Sequence, residues 1–360
     1  MGSVSTGSIT IIAVNPGSTS TKLAVFKDGA PVKSMSIEHD KVELDSMGQI
    51  KDQLKYRIDA VEAALAGEAE TLDGISAVVG RGGLLKPMEG GVWEVDERMV
   101  EDALDRPVSQ HASNLGCAIA LHLAKKAGVP AYIVDPVCTD EYEPEARVSG
   151  LPQIPRISLL HTLSARSSAR RAAGELGLDL GKARFVIAHM GGGTTICALR
   201  DGRLVDANNS NDEGPFTPER TGTMPSGAIV DLCYSGKYSK AEVRDMFLRK
   251  AGLFAYVGTS DAREVDRRID AGDQKALEVM QAMAYQIAKE IGAYAAVLSF
   301  RLDAVILTGG LAKWPRLLDE ITRRIGFLGR IMLYPGENEM QALGDGATLA
   351  VKGIVPVKRY

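Results

Sequence analysis

The sequence predicts an α/β protein built from two similar domains, and three observations carry that expectation. The chain has 360 residues, more than one ordinary core organises. Apolar runs of strand length alternate with longer stretches of helical spacing. One pattern also occurs twice, at residues 9–29 and 185–202: an apolar strand, a glycine-rich polar turn, a second strand and an Asp-Gly turn. A constant offset of 174 residues separates Asn15 from His189, Gly17 from Gly191 and Ala24 from Ala198. An internal repeat is a sharper signal than either copy alone.

Composition narrows the function. With 45% hydrophobic and 24% charged residues the chain reads as soluble and globular. A net charge of −4 provides no basic field, which argues against nucleic acid or an anionic membrane as the main partner. Positive charge for an anionic ligand must then be local. Cys117, Cys138, Cys197 and Cys233 are far apart and lack metal-ligand spacing, as expected of reduced thiols in a cytoplasmic protein. No signal peptide or membrane-length apolar run is visible. The opening MGSVST formally matches a myristoylation pattern, but no second membrane signal accompanies it.

The elements follow from the residues in order. Residues 9–14 and 23–26 are strand-like, joined by NPGSTS and closed by Asp28-Gly29, a hairpin signal. A turn of glycine and hydroxyl residues gathers N–H and O–H donors that suit phosphate, although plain turns use the same residues. Residues 31–38 read as a third strand, and 46–65 as one helix stopped by Gly67. The strand 75–79 runs into Gly80-Arg81-Gly82-Gly83. The glycines allow close approach of a backbone or a ligand, and a guanidinium there favours an oxyanion.

Residues 94–105 and 113–127 are expected helices. Between them His111 either lines a site or caps a helix. The strand 131–134 ends at Asp135-Pro136, where an acidic residue is placed for a ligand or simply for a turn. His161 precedes the helix 162–176 and reads on its own as a partly buried residue. In the second repeat, strand 185–189 leads to Gly191, Gly192, Gly193 and Thr194. Residues 208–226 form a long polar loop. Helices follow at 228–234, 240–250, 262–271 and 274–300. The strand 304–307 then enters Gly309-Gly310-Leu311, which admits either a ligand or tight packing. A helix at 316–325, a strand at 331–333 and a small-residue helix at 341–351 complete the chain.

Two glycine hairpins and a late strand-borne Gly-Gly resemble the superfamily of actin, sugar kinases and heat-shock ATPases. Within it, NPGSTSTK (residues 15–22) is similar to the opening signature of the acetate and butyrate kinase family. HMGGGT (residues 189–194) and the loop NNSNDEGPFTPERTG resemble its butyrate kinase branch. The resemblance runs from about Ile9 to Val357. It implies two RNase H-like domains with an active-site cleft between them: residues 1–136 with 341–360, and 137–340.

The resemblance also implies roles. Asn15, Ser18, Thr19, Ser20 and Lys22 belong at the γ-phosphate end, and His189, Gly191, Gly192, Gly193 and Thr194 with the other phosphates. Gly309, Gly310 and Leu311 belong at the adenosine. Arg81, with Gly82 and His111, would hold the carboxylate or acyl phosphate, and His161 the phosphoryl group in flight. Asp135 and Glu339 match acidic residues tied to catalysis and Mg²⁺. A homo-oligomer is a further family-level expectation. Acetate kinases carry an arginine where this chain has Pro225, which leaves a charge for Lys22, Arg220 or a backbone nest to supply.

The chemistry is consistent with those roles. Sugar kinases use an aspartate to deprotonate a hydroxyl. A carboxylate, with a pKa of ~4–5, needs no base at neutral pH. Asn15 and His189 occupy the positions where relatives carry that acid. The expected reaction is direct in-line transfer from Mg-ATP to a short-chain carboxylate such as butyrate, giving an acyl phosphate and ADP, in either direction. Propionate, acetate or branched acids are the alternatives in the same class, with Leu84, Leu85 and Met88 as candidate pocket walls. A non-catalytic nucleotide switch is the alternative outside it.

Overall fold

The computed structural model describes residues 8–67 and 72–360, so the MGSVST pattern lies outside the described residues. The chain divides into two compact units. One takes in the described residues up to Asp140 together with Asn338–Tyr360; the other is Glu141–Glu337.

The first unit opens with a meander of β1 (Thr10–Pro16), β2 (Ser20–Lys27) and β3 (Ala30–Glu38). Asp28 and Gly29 sit at φ 53° and 90°, the left-handed pair that a two-residue hairpin requires. The helix expected at 46–65 is broken in two. α1 (Lys41–Ser46) is capped by the Asp40 carboxylate, and a 3-10 turn, Ile50–Gln53, leads into α2 (Leu54–Gly67). Gly48, at φ 79°, turns the chain between them. β4 (Ala77–Gly80) and β5 (Val92–Glu94) precede α3 (Glu97–Asp105), whose start is set by the Asp96 side chain accepting from Met99 N. α4 (Leu115–Ala127) ends at Gly128 in the left-handed conformation, and β6 (Ala131–Val134) follows.

The second unit contains α5 (Pro144–Arg147), α6 (Thr162–Leu176), β7 (Arg184–Met190), β8 (Thr194–Arg200) and β9 (Arg203–Ala207). Four helices come next: α7 (Ser226–Cys233), α8 (Lys240–Arg249), α9 (Gly252–Val257) and α10 (Ala262–Asp270). The long α11 (Gln274–Val297), β10 (Ala304–Gly309), α12 (Pro315–Ile325) and β11 (Ile331–Pro335) complete it. The chain then returns to the first unit with α13 (Glu339–Val351) and β12 (Val357–Arg359).

The two sheets share one plan. The first has the order β12-β5-β6-β4-β1-β2-β3 and the second β11-β10-β7-β8-β9. In each, an antiparallel three-strand meander is extended by two parallel strands, β4 and β6 in one and β10 and β11 in the other. This is the RNase H-like arrangement that the family resemblance implied. The registers correspond as well: Asn15 faces Lys22 across β1 and β2, and His189 faces Thr195 across β7 and β8.

Helices cover both faces. α13 lies so close to the first sheet that a Cβ at Gly344 would stand 2.7 Å from the Phe26 ring, and one at Gly346 2.6 Å from Val134. Glycine there is a packing requirement. In the second unit, Met280, Met283 and Ile287 of α11 share a core with Val186, Ala188 and Met190. Ala165, Ala169 and Ala172 of α6 pack with Phe185, Ile187 and Ile306.

The cores also decide thiol chemistry. Cys117, Cys138 and Cys197 are buried, and burial pushes each thiol up to about 12, while Cys233 is exposed on the last turn of α7. Only a thiolate attacks disulfide reagents. One fast-reacting thiol per native chain is therefore expected in a dithionitrobenzoate titration, rising to four in denaturant. A count of two or more in the native state would contradict this packing.

Candidate active site: a glycine hairpin in each unit

In the first unit, one pocket of about 300 Å³ gathers Asn15, Pro16, Gly17, Ser18, Ser20, Lys22, Arg81, His111, Ser113, Val137 and Glu339. The hairpin supplies its floor. Gly17 N donates to Ser20 O at 2.7 Å, which tightens the turn and leaves Ser18 and Thr19 exposed. Thr19 is on the turn but is not among the lining residues.

Arg81 enters from the end of β4. Its backbone N–H donates to Val14 O at 2.9 Å, which fixes it beside the hairpin. The glycines around it answer to neighbouring backbone rather than to a ligand. A Cβ on Gly80 would be 2.1 Å from Gly116 O, and one on Gly116 would be 2.3 Å from Arg81 O. Gly82 is buried under Pro136, its Cβ position 2.4 Å from that ring, and does not line the pocket. Its lack of a side chain makes room for this packing.

Glu339, the first residue of α13, closes the group. Its Oε1 lies 2.6 Å from Arg81 Nη1, without the alignment of a hydrogen bond, and its Oε2 accepts from Asn15 Nδ2 at 2.9 Å. A residue 324 positions away in sequence thus meets the hairpin. The Gln341 side chain, donating to Gly29 O at 2.9 Å, holds the same helix start against the other end of the hairpin.

His111 takes both of the places open to it. It caps the 3-10 turn Ala112–Asn114, its Nδ1 accepting from Ser113 N at 3.1 Å, and it also lines the pocket. The surrounding protein, and secondarily the Arg81 charge, lower its pKa below the usual histidine value. It is therefore neutral at pH 7, with the ring proton on Nε2.

Asp135 stands elsewhere. It is 1% exposed, sits at φ 41°, and its Oδ1 accepts from Gly91 N at 2.8 Å. The carboxylate holds the corner between β5 and β6 and is not among the residues lining this pocket. Leu85 is a core residue, and Leu84 and Met88 do not line the pocket; the apolar wall is Val137 with Pro16. Neither Val137 nor Ser113 carries a sequence signal. Both are ordinary residues brought in by the turns after β6 and before α4.

The second unit repeats the hairpin with different support. His189 ends β7, and its ring lies 4.7 Å from that of His161, centroid to centroid. His161 Nδ1 is hydrogen-bonded to Thr195 Oγ1 at 2.8 Å, so the histidine just before α6 is fixed to the glycine hairpin. The turn Gly191, Gly192, Gly193 is braced by the polar loop. Thr217 Oγ1 donates to Gly192 O at 2.6 Å, and a Cβ on Gly193 would be 2.7 Å from Arg220 Nη1.

Arg220 is itself anchored by Ser210 O at 3.1 Å and Asn211 Oδ1 at 2.8 Å. Burial lowers its pKa, but guanidinium remains charged at neutral pH. A cation therefore lies over the glycine turn, while Pro225 is exposed just before α7.

Thr194 is buried next to this turn. Gly309 ends β10 at φ 91°, and its Cβ would fall 2.3 Å from Met190 O, so packing of β10 on β7 requires glycine there. Gly310 faces open space, whereas the Leu311 side chain is in the core and leaves only its backbone for a ligand.

Comparison with known proteins gives this geometry its family. The Acetokinase family profile matches residues 156–349. "Probable butyrate kinase 2" of Caldanaerobacter subterraneus subsp. tengcongensis is 45% identical over 350 residues, covering 97% of this chain and 99% of that protein. The chain belongs to the acetokinase family. It is a carboxylate kinase, as the NPGSTSTK signature and the polar loop implied.

Among solved structures, acetate kinase from Porphyromonas gingivalis aligns with TM-score 0.74 at 19% identity, covering 95% of this chain and all of that one. Propionate kinase from Francisella tularensis aligns with TM-score 0.70 at 18% identity, covering 94% of this chain and 98% of that one. At these identities the likeness shows the fold, which is that of the actin-like ATPases. Among the described residues of this acetokinase, no helix is long and apolar enough to cross a membrane.

Proposed function

We propose that this acetokinase transfers the γ-phosphoryl group of ATP directly to butyrate or a similar short-chain acid, reversibly, and that the first unit's pocket receives the acid. The observation that carries the reading is the state of Glu339. It is the single carboxylate among the pocket-lining residues, and it already faces Arg81 at 2.6 Å and Asn15 at 2.9 Å. With its two oxygens on Arg81 and Asn15, Glu339 is not placed as a general base. The site therefore suits a nucleophile that arrives deprotonated.

The chain's own residues divide the remaining work. Arg81 offers a planar fork to the acid or acyl phosphate. The Ser18 and Ser20 hydroxyls, Lys22 and the Asn15 amide would receive the γ-phosphoryl group. In the second unit, the glycine turn with Arg220 above it would hold nucleotide phosphates, Gly310 would lie open to adenosine, and His161, fixed on Thr195, would steady the phosphoryl group. Phosphoryl transfer needs mainly such positioning and charge.

A divalent ion belongs to this proposal. Among the described residues no three His, Cys, Asp or Glu side chains form a metal cluster. Mg²⁺ commonly takes one or two carboxylates and fills its sphere with phosphate oxygens and water. Glu339 would be the protein ligand, and the ion would neutralise phosphate charge. A homo-oligomer is also part of the reading.

The relative's name and the small pocket walled by Val137 and Pro16 support butyrate. Each buried methylene contributes about 0.8 kcal/mol, so butyrate should exceed acetate by roughly 10-fold in kcat/KM. A panel of acids with Mg-ATP and hydroxylamine, which traps acyl phosphate as hydroxamate, checks this. Acetate equal to or above butyrate would overturn the acyl assignment, and ATP turnover indifferent to any acid would overturn the reaction.

A further inference from the structure

Behind the first unit's hairpin lies a charge that the proposed reaction does not yet use. Arg57, on α2, is completely buried, and its guanidinium grips the hairpin turn from inside. Nη2 donates to Ser18 O at 3.1 Å and Nη1 to Ser20 O at 3.3 Å and Thr21 Oγ1 at 3.1 Å. Nε and Nη2 also donate to Gln53 Oε1, at 3.2 and 3.1 Å. The carbonyl between the two held by Arg57 is taken as well, since Thr19 O accepts from His39 N at 2.8 Å.

Three consecutive carbonyls, at residues 18–20, are thus drawn back into the protein. No peptide bond here is cis, so each carbonyl turned inward sends the N–H of the following residue the opposite way. The carbonyls of the turn are thus satisfied within the protein, by Arg57, Gly17 N and His39 N, and do not confront an anion at its outer side.

The charge is as telling as the geometry. All of Arg57's partners are neutral oxygens, and no carboxylate among the described residues forms an ion pair with it. Glu38 and Glu43 act on the neighbouring His39 only at range. His39, whose Nε2 meets Thr21 Oγ1 at 2.8 Å, is itself held neutral by burial and then by the Arg57 charge. A buried guanidinium without a counter-ion is costly for the unliganded chain. An anion on the outer face of the same turn would compensate it.

We infer that Arg57 is a positioning residue for phosphoryl transfer: it orients the hairpin carbonyls inward, and the bound phosphate of ATP or acyl phosphate is its counter-ion. The inference rests on the reading of this hairpin as a phosphate site.

The test compares Arg57→Gln, Arg57→Lys and a Ser18→Ala/Ser20→Ala double variant with the wild type. The readouts are steady-state kinetics and the rise in Tm produced by Mg-ATP. Arg57→Gln should lower kcat/KM for Mg-ATP by about 10–100-fold and shrink the ATP-induced rise in Tm, with butyrate KM at saturating ATP moving less than about 3-fold. Arg57→Lys keeps the charge but cannot fork across both carbonyls, so it should fall between Arg57→Gln and wild type.

A purely structural arginine would instead lower the unliganded Tm and leave the ATP-induced rise and the kinetics of the folded fraction intact; that result overturns the inference. If Arg57→Gln does not fold, Arg57→Lys decides: a loss of about 5-fold or more supports the inference and wild-type kinetics overturn it. The double serine variant separates the two claims. Should it keep wild-type kinetics, the hairpin is not a phosphate site; should it lose activity while Arg57→Gln does not, only the inference about Arg57 fails.

Discussion

Replacing Arg81 with alanine is expected to lower kcat/KM for the carboxylate by about 100- to 1000-fold, the usual loss when a preorganised donor to developing charge is removed. Arg81 is 9% exposed, its backbone is tied to Val14 and its guanidinium faces Glu339 in the pocket, so the donor is held in place before substrate arrives. Without it, Glu339 faces the pocket as a carboxylate relieved of its cation and repels the acid. Affinity for ATP, measured by equilibrium binding, should change little. Arg81→Lys should recover only part of the loss, because an ammonium does not reproduce the planar fork. Turnover of Arg81→Ala within about 3-fold of wild type would remove Arg81 from the proposed mechanism.

Gly309→Ala is expected to destabilise the second unit by about 2–6 kcal/mol. The backbone at φ 91°, ψ 179° lies in a region essentially restricted to glycine, and strain of that kind costs about 1–3 kcal/mol. A methyl group placed 2.3 Å from Met190 O and 2.7 Å from Met190 N adds an overpacking cost of about 1–3 kcal/mol. The movement that relieves the clash pulls β10 from β7 at the pairing of Thr308 with His189, just before the glycine turn. Gly310→Ala is the paired control. Nothing lies within 4 Å of its Cβ position and its φ is not positive, so a change within about 0.5 kcal/mol is expected. Hydrogen exchange on the 185–200 hairpin reads the two variants; equal protection in both would refute the packing argument.

The sequence carried the hairpins almost whole, because alternation and Asp-Gly turns are local properties. α6 was legible over its full span for the same reason: its helical spacing runs over 162–176, where the structure has the helix. The helix expected over 46–65 was not, because helical spacing persists across Gly48 while the backbone there turns at φ 79°. The glycines around Arg81 admitted a backbone or a ligand, and beside Gly82 the structure places Pro136. Glycine announces that something approaches, not what approaches. Asp135 was ambiguous in the same way: an acidic residue after a strand suits a ligand site or a corner equally, and the structure shows its contact with Gly91 at the corner.

Glu339 was found through family resemblance alone, because an Asn-Glu pair at a helix start has no intrinsic meaning until Arg81 stands opposite. Arg57 left no trace. It reads as one more charge on a polar helix face, and its partners at Ser18 and Ser20 lie 39 and 37 residues earlier.

The helix that carries Glu339 also bears on the order in which a ribosome makes this chain. Residues 141–337, the whole second unit, are synthesised between β6 and α13. Until they have emerged, the first sheet lacks the helix whose Gly344 and Gly346 lie on Phe26 and Val134, and Arg81 lacks the carboxylate opposite it. The second unit, continuous in sequence, can fold as it leaves the tunnel. The unit begun first is therefore completed after the second, and the nascent chain gains the full set of residues around Arg81 only once α13 has emerged.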